Sequence, residues 1–257
     1  MRIVACYKYV LDEQDIRVNP ETQSLLTDRA AWKISDYDRN AIEEAVRIKE
    51  QQGGTVFALT AGPSQVKVSL KDVLARGADE GIFVQVENTA LADPAFTARV
   101  LAQAIRKIGD CDLVICGEGA SDDYAQQVGP RLAVLLGCPA VTYVAKLTVE
   151  ERILRAERKL EDGIEVVEAP LPAVVTVTGE INQPRIPTLK QVMGAGRKPM
   201  QTWKLEDLGL NPSEVRICLE NRSLKGAVVS RKRLVFKGEP AEAVFHVVEA
   251  LSKEGVI

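Results

Sequence analysis

Residues 113–130, LVICGEGASDDYAQQVGP, decide the fold. Leu113–Cys116 is a short, apolar, partly β-branched run, as expected of a strand buried on both faces. The polar, glycine-bearing loop after it opens into Gln127–Leu136, whose apolar residues recur at helical spacing. The same alternation repeats toward the N-terminus. Ile3–Val10 is a candidate strand and Tyr37–Gln51 a candidate helix, with Ala41, Ile42, Ala45, Val46 and Ile48 as its apolar stripe. Gly53-Gly54 ends that helix, and Val56–Thr60 is the next strand. Ser64–Arg76 reads as a helix stopped by Gly77, Ile82–Val86 as a strand, and Asp93–Ile108 as an alanine-rich helix. Strands alternating with helices predict right-handed crossovers and a parallel sheet, hence an α/β fold.

Past Val141 the pattern changes. Ile153–Glu157 and Ile164–Glu168 alternate around Asp162-Gly163, a hairpin turn pair. Ala173–Thr178 reads as one more buried strand. From Gly194 the stretch GAGRKPMQTW reads as a loop rather than a core element. Basic SRKRL (Ser230–Leu234) and a last short helix near Ala241–Lys253 suit an arm.

The 257 residues are 46% hydrophobic and 27% charged, a globular composition that excludes a disordered or fibrous chain. They suit one large domain, or one of about 190 residues plus an extension. A net charge of −3 offers no general attraction for nucleic acid or anionic membrane. Apolar stretches fall well short of the roughly 20 residues that span a bilayer. MRIVACYKYV lacks the apolar core and cleavage site of a secretory leader, so a cytoplasmic protein is expected. The five cysteines (Cys6, Cys111, Cys116, Cys138 and Cys218) are scattered without a metal-ligand spacing. His246, the single histidine, reads as structural, so neither a metal site nor a histidine-based catalytic triad is expected.

Three loops at the carboxyl edge of the predicted sheet are the candidate binding elements. Gly117–Pro130 joins a buried strand to a helix, where glycines admit a ligand close to the backbone and helix N–H groups can hold phosphate. It matches neither of the generic glycine-rich nucleotide motifs, and Asp122 or Asp123 would alternatively cap the helix. Ile34–Ala41 precedes the first helix, where Ser35 or Asp36 is expected to cap. Thr60–Pro63 makes a tight turn at Gly62.

Three segments bring a family into view. Ala156–Val167 (AERKLEDGIEVV), continuing to PAVVT at Pro172–Thr176, resembles the signature of electron-transfer flavoprotein β-subunits. Ile181–Met193 (INQPRIPTLKQVM) resembles their loop for recognising partner dehydrogenases, and Gly117–Pro130 their adenine-nucleotide loop. The likeness runs from residue 1 to about 210. Details such as CYKYVLDEQDIRVN and SDDYAQQVG look closest to the Fix branch, linked to nitrogen fixation or carnitine reduction.

The resemblance implies a Rossmann-like α/β fold of the adenine-nucleotide-binding type with an added hairpin. It divides the chain into a nucleotide-binding domain (1–193), with the recognition loop at 181–193, and an arm (194–257) that wraps an α-subunit. Without that partner the arm would expose Leu208, Leu210, Val235 and Phe236. Taken with the three loops, the resemblance assigns the nucleotide site to Cys6, Ser35, Tyr37, Asp38, Asn40 and Ala61. Along the long loop it adds Gly117, Ala120, Asp122, Ala125, Gln126, Gln127, Val128 and Gly129. Leu189 is the implied anchor for an acyl-CoA-type or other dehydrogenase, and Arg185 an implied contact for the α-subunit or a flavin. The implied downstream acceptor is a quinone oxidoreductase, a ferredoxin or a flavodoxin.

The bound nucleotide is FAD or AMP. Tyr37-Asp38-Arg39-Asn40-Ala41 and Gln127-Val128-Gly129-Pro130 resemble the pattern of electron-bifurcating members, which carry FAD here and oxidise NADH. Val128 stands where AMP-binding members have a threonine beside the phosphate. Tyr124 and Ala125 depart from the bifurcating pattern, which has an acid and a threonine there. FAD is the favoured ligand and AMP the alternative. No protein acid–base residue is expected, because flavin carries the redox chemistry. A stand-alone adenine-nucleotide-binding regulator is the alternative of a different class.

Overall fold

The computed structural model describes residues 1–86, 93–211, 219, 222–228 and 231–257. The chain divides into two compact units. The first holds Met1–Arg17 with Leu26–Leu224, and the second Val18–Leu25 with Lys225–Ile257. The expected division at 193/194 falls inside the first unit.

The chain opens with β1 (Arg2–Cys6), β2 (Tyr9–Leu11), two-residue β3 (Arg17–Val18) and β4 (Leu25–Leu26), and β5 (Trp32–Ile34). Helix α1 (Asp36–Gln52) leads to β6 (Thr55–Gly62), a 3-10 turn at Ser64–Val68, α2 (Ser69–Ala75) and β7 (Glu80–Gln85). Then come α3 (Pro94–Ile108), β8 (Leu113–Gly117), α4 (Val128–Leu136), β9 (Ala140–Glu150), β10 (Ile153–Leu160), β11 (Gly163–Pro170) and β12 (Ala173–Val177). Last are α5 (Leu189–Ala195), β13 (Met200–Lys204) and α6 (Pro240–Lys253). One sheet of nine strands, ordered β11-β10-β9-β12-β8-β1-β6-β7-β13, forms the centre. Strands β9, β12, β8, β1, β6, β7 and β13 run parallel, and β10 and β11 add an antiparallel extension. This is a Rossmann-like α/β fold.

Apolar residues cover both faces of the sheet. Ile3, Ala5, Ile115 and Val175 share one cluster with α1 residues Ile42 and Val46, while Val4, Val114 and Val174 share the other with α3 residues Val100 and Leu101. Two-sided burial explains why these strands read as continuous apolar runs. Helix α3 starts as its sequence dictates: the Asp93 side chain caps it by accepting the Ala95 N–H at 2.8 Å, with Pro94 in the first turn.

Four local expectations are corrected. Ile3–Val10 is two strands, because the chain leaves the large sheet after Cys6 and β2 pairs with β5 instead. Strand β9, which alternates buried and exposed positions, was not expected as a strand. The stretch from Gly194 is not merely a loop: Met200–Lys204 pairs with β7 at the sheet edge, and Trp203 is buried. Leu208 and Leu210 are buried in the same cluster as Trp203, whereas Val235 and Phe236 are exposed as expected.

In the second unit, Gly226 donates its N–H to Gln23, and the space a Cβ would need there is filled by Val18. Helix α6 buries none of its residues, and Phe236 stacks on His246, which is exposed rather than packed in a core. Among the described residues no helix is long and apolar enough to cross a membrane.

Candidate functional site

The chain runs outward from β1 through β6 and β7, then returns through α3 to place β8 on the other side of β1. Ligands of open α/β sheets bind in the crevice at such a reversal, beyond the carboxyl ends of the strands. A cleft of about 800 Å³, its open mouth included, lies there. Cys6, Tyr7 and Lys8 line it at the end of β1, Ala61 from β6, and Asp38 from α1. Residues Cys116–Ala120, Asp123 and Ala125–Gly129 form the long wall, and Pro94, Thr97 and Leu101 of α3 the opposite side.

Ten expected site residues meet at this cleft: Cys6, Asp38, Ala61, Gly117, Ala120, Ala125, Gln126, Gln127, Val128 and Gly129. Four do not line it. Ser35 stands at the N-cap position of α1 but makes no side-chain cap; its hydroxyl accepts the Ser121 N–H at 3.2 Å and ties two loops together. Asp122 and Asp123 hold the Lys8 ammonium at 2.7 and 3.1 Å rather than capping α4. Tyr37 packs on Tyr124, ring centres 5.4 Å apart. Asn40 points to the segment after β12, donating to the Asn182 carbonyl at 2.8 Å.

Asp38 is the buried keystone of the cleft. Its carboxylate accepts the N–H of Lys8 at 2.8 Å and of Gly117 at 3.0 Å, joining the ends of β1 and β8 to α1. Burial pushes its pKa up to about 7, against the opposing pull of those two N–H bonds. Gly117 permits the approach, since a Cβ there would lie 2.7 Å from the Asp38 carboxylate and 2.9 Å from the Tyr37 backbone. Gly129 serves α4 likewise: a Cβ would lie 2.2 Å from the Thr176 methyl of β12.

The long wall folds upon itself. Tyr124 and Gln126 adopt left-handed backbone conformations, with φ of 45° and 57°. The Tyr124 ring covers Gly119, and its hydroxyl donates to Glu118 at 2.9 Å. Burial first, then the neighbouring Glu118, pushes the Tyr124 phenol up to about 12, so it stays protonated. Strained backbone in a loop facing a cleft is a mark of function. The loop delivers the N-terminus of α4 to the cleft without a side-chain cap at Gln127. The first-turn N–H groups of Val128 and Gly129 therefore have no intrahelical acceptor and can hold an anion.

The second feature lies between β12 and β13. Leu189 opens α5 behind a capping box of Thr188 and Gln191, and is 76% exposed. Ile186, Val192 and Met193 are exposed beside it in sequence, so the short helix presents apolar side chains at helical spacing. Arg185 forks onto Glu43 at 2.8 Å and Glu50 at 2.6 Å. Although burial pushes Glu43 up, that fork holds its carboxyl below the usual range.

Among the described residues no cluster of three or more metal-ligating side chains forms. Lys8 and the α3 residues Pro94, Thr97 and Leu101 were missed from the sequence. Lys8 lay hidden inside the expected strand Ile3–Val10, which in the structure ends at Cys6, and the α3 contacts depend on helix placement across the sheet. The model of the electron transfer flavoprotein domain matches residues 23–208, most of the chain, and the chain accordingly belongs to the electron transfer flavoprotein family.

Proposed function

We propose that this chain is the β-subunit of a heterodimeric electron-transfer flavoprotein, of the Fix branch, and that its cleft holds an adenine nucleotide, FAD in preference to AMP. The observation that carries this reading is the uncapped N-terminus of α4 at the crevice, where Val128 and Gly129 offer backbone donors for a phosphate. The apolar Cys6, Ala61, Leu101 and Val128 suit the flat face of a base or flavin. Of the acids of the cleft, Asp123 is paired with Lys8, Glu118 accepts from the Tyr124 hydroxyl and Asp38 is buried against Gly117. Val128 lacks the hydroxyl that a threonine would offer a phosphate, which supports FAD over AMP. Bound flavin supplies the electron-accepting and electron-donating chemistry; the chain's own residues bind, orient and exclude water.

Leu189 is the anchor for an acyl-CoA-type or other dehydrogenase, because an exposed leucine fills a partner's pocket without demanding hydrogen bonds. Arg185 holds the segment that carries it. Val235, Phe236 and the uncovered α6 belong to an arm that lies on the α-subunit. A quinone oxidoreductase, ferredoxin or flavodoxin is the acceptor, and the complex works in the cytoplasm. FAD in the cleft would further allow NADH oxidation with electron bifurcation.

Co-expression with the α-subunit, followed by counting FAD and AMP released on denaturation, tests this. Two FAD per heterodimer supports the reading. One FAD with one AMP removes bifurcation and leaves a one-flavin carrier. A soluble monomer that binds adenine nucleotide without flavin or partner supports the stand-alone regulator instead.

A further inference from the structure

Helix α1 touches both functional features through consecutive side chains. At its N-terminal end Ser35 accepts from Ser121, and Asp38 accepts from Lys8 and Gly117, all on the cleft loops. One turn on, Asn40 and Asn182 clasp each other. The Asn40 amide donates to the Asn182 carbonyl at 2.8 Å and to its side-chain oxygen at 3.1 Å, while the Asn182 amide donates to the Asn40 carbonyl at 3.0 Å and to Glu44 at 2.9 Å. Further along, Glu43 accepts both the backbone and the guanidinium of Arg185, at 3.1 and 2.8 Å, and Glu50 takes the other edge of that guanidinium. The segment from Asn182 to Leu189 is thus hung on α1 by charge-assisted and amide bonds.

Beyond α1, the segment leans on α2, against which α5 packs, and it buries few of its side chains. Ile186 is 90% exposed and Leu189 76%, and α5 buries only Ala195. From α2, Arg76 donates to the Arg185 carbonyl at 3.2 Å. A segment with few buried apolar contacts opens at low free energy, so polar anchors decide how ordered it is. Those anchors sit on the helix whose first turn closes the cleft.

We propose that α1 couples the two: a nucleotide seated in the cleft steadies Asp38, Gly117 and the first turn of α1, and the Asn40–Asn182 clasp passes that order to the docking segment 181–195. Asn40, Asn182 and Glu44 are positioning residues: none lines the cleft, and Asn182 bonds to both of the others. Any such coupling is reciprocal, so a dehydrogenase seated on Leu189 tightens the nucleotide by the same factor. This inference rests on the nucleotide reading of the cleft.

The test is hydrogen exchange by mass spectrometry on the full chain, with AMP and FAD as separate probes and binding of each measured first by calorimetry. A saturating probe is expected to slow exchange across 181–195 by at least about fivefold, the lower end of usual intersite coupling. In Asn182→Ala the probe is expected still to bind, at most about fivefold more weakly, while that protection disappears. Glu44→Gln, which keeps the volume and weakens one anchor, should retain part of it, and serves if Asn182→Ala does not fold. A probe that binds without slowing exchange at 181–195, or protection that survives Asn182→Ala, overturns the coupling and leaves the cleft reading intact. Failure of both probes to bind overturns the cleft reading and the coupling with it.

Discussion

The Asp38 carboxylate accepts the backbone N–H of Gly117 at 3.0 Å, so a side chain of the first helix holds the end of a central strand beside the cleft. Gly117→Ala would push a methyl to 2.7 Å from that carboxylate and 2.9 Å from the Tyr37 backbone. We expect a loss of about 1–3 kcal/mol, the usual cost of overpacking, read as a lower urea midpoint. An unchanged midpoint would mean that the loop gives way freely and that Asp38 is not a keystone.

Asp38 also sets a pH dependence. Burial pushes its folded pKa up to about 7, whereas the unfolded carboxyl titrates near about 3.9. Between those values the folded chain keeps a proton that the unfolded chain releases. Its contribution to stability is therefore complete below about pH 4 and is lost as pH rises through about 7. In Asp38→Asn the unfolding free energy should fall less steeply than in the parent between about pH 5 and 8. Parallel curves would show that Asp38 does not titrate in that window.

Removing the fork on Glu43 should be costly. Glu43 has a side chain 5% exposed and keeps Arg47 and the backbone N–H of residue 185 when the guanidinium is lost. Arg185→Gln is expected to cost about 1–3 kcal/mol, the penalty for a buried carboxylate losing a charged donor, measured by chemical denaturation. A loss well below that range would reduce the pair to a surface ion bridge.

Leu189→Ala should separate stability from docking. A side chain this exposed is expected to change stability by less than about 0.5 kcal/mol. If Leu189 is the proposed docking anchor, electron transfer from a partner dehydrogenase should fall at least about tenfold in kcat/KM, as for a central apolar anchor. Full activity in this variant would place docking elsewhere on the surface.

Val128→Thr returns a hydroxyl to the first turn of α4. If a phosphate sits at that turn, AMP affinity should rise roughly tenfold, since a hydrogen bond to a charged group contributes about 1.5 kcal/mol or more. Calorimetry measures this directly, and an unchanged affinity would put the phosphate away from Val128.

The residues themselves show how far a sequence carries. Leu113–Cys116, Ala173–Thr178 and the stripe Ala41, Ile42, Ala45, Val46 announce strands and a helix because burial imposes periodicity on neighbours. Strand β13 hid because MQTWK lies in a glycine- and lysine-rich stretch and becomes a strand only by pairing with β7 at the sheet edge. Ala61 and Gly117 were legible as cleft residues because they end strands of a parallel sheet. Asn40 was not, because nothing local distinguishes an amide facing a ligand from one facing residue 182.

The sequence by itself determined the α/β class, the edge at which the loops gather, and the family, since periodicity and motif are properties of nearby residues. Only the tertiary structure decided that Lys8 is neutralised by Asp122 and Asp123, that Asp38 is buried beneath Gly117, and that α1 carries both the cleft and the Leu189 segment. These pairs lie between 79 and 142 residues apart in the chain. Contacts at such distances are selected by packing, burial and electrostatics together, and no short stretch of sequence contains them.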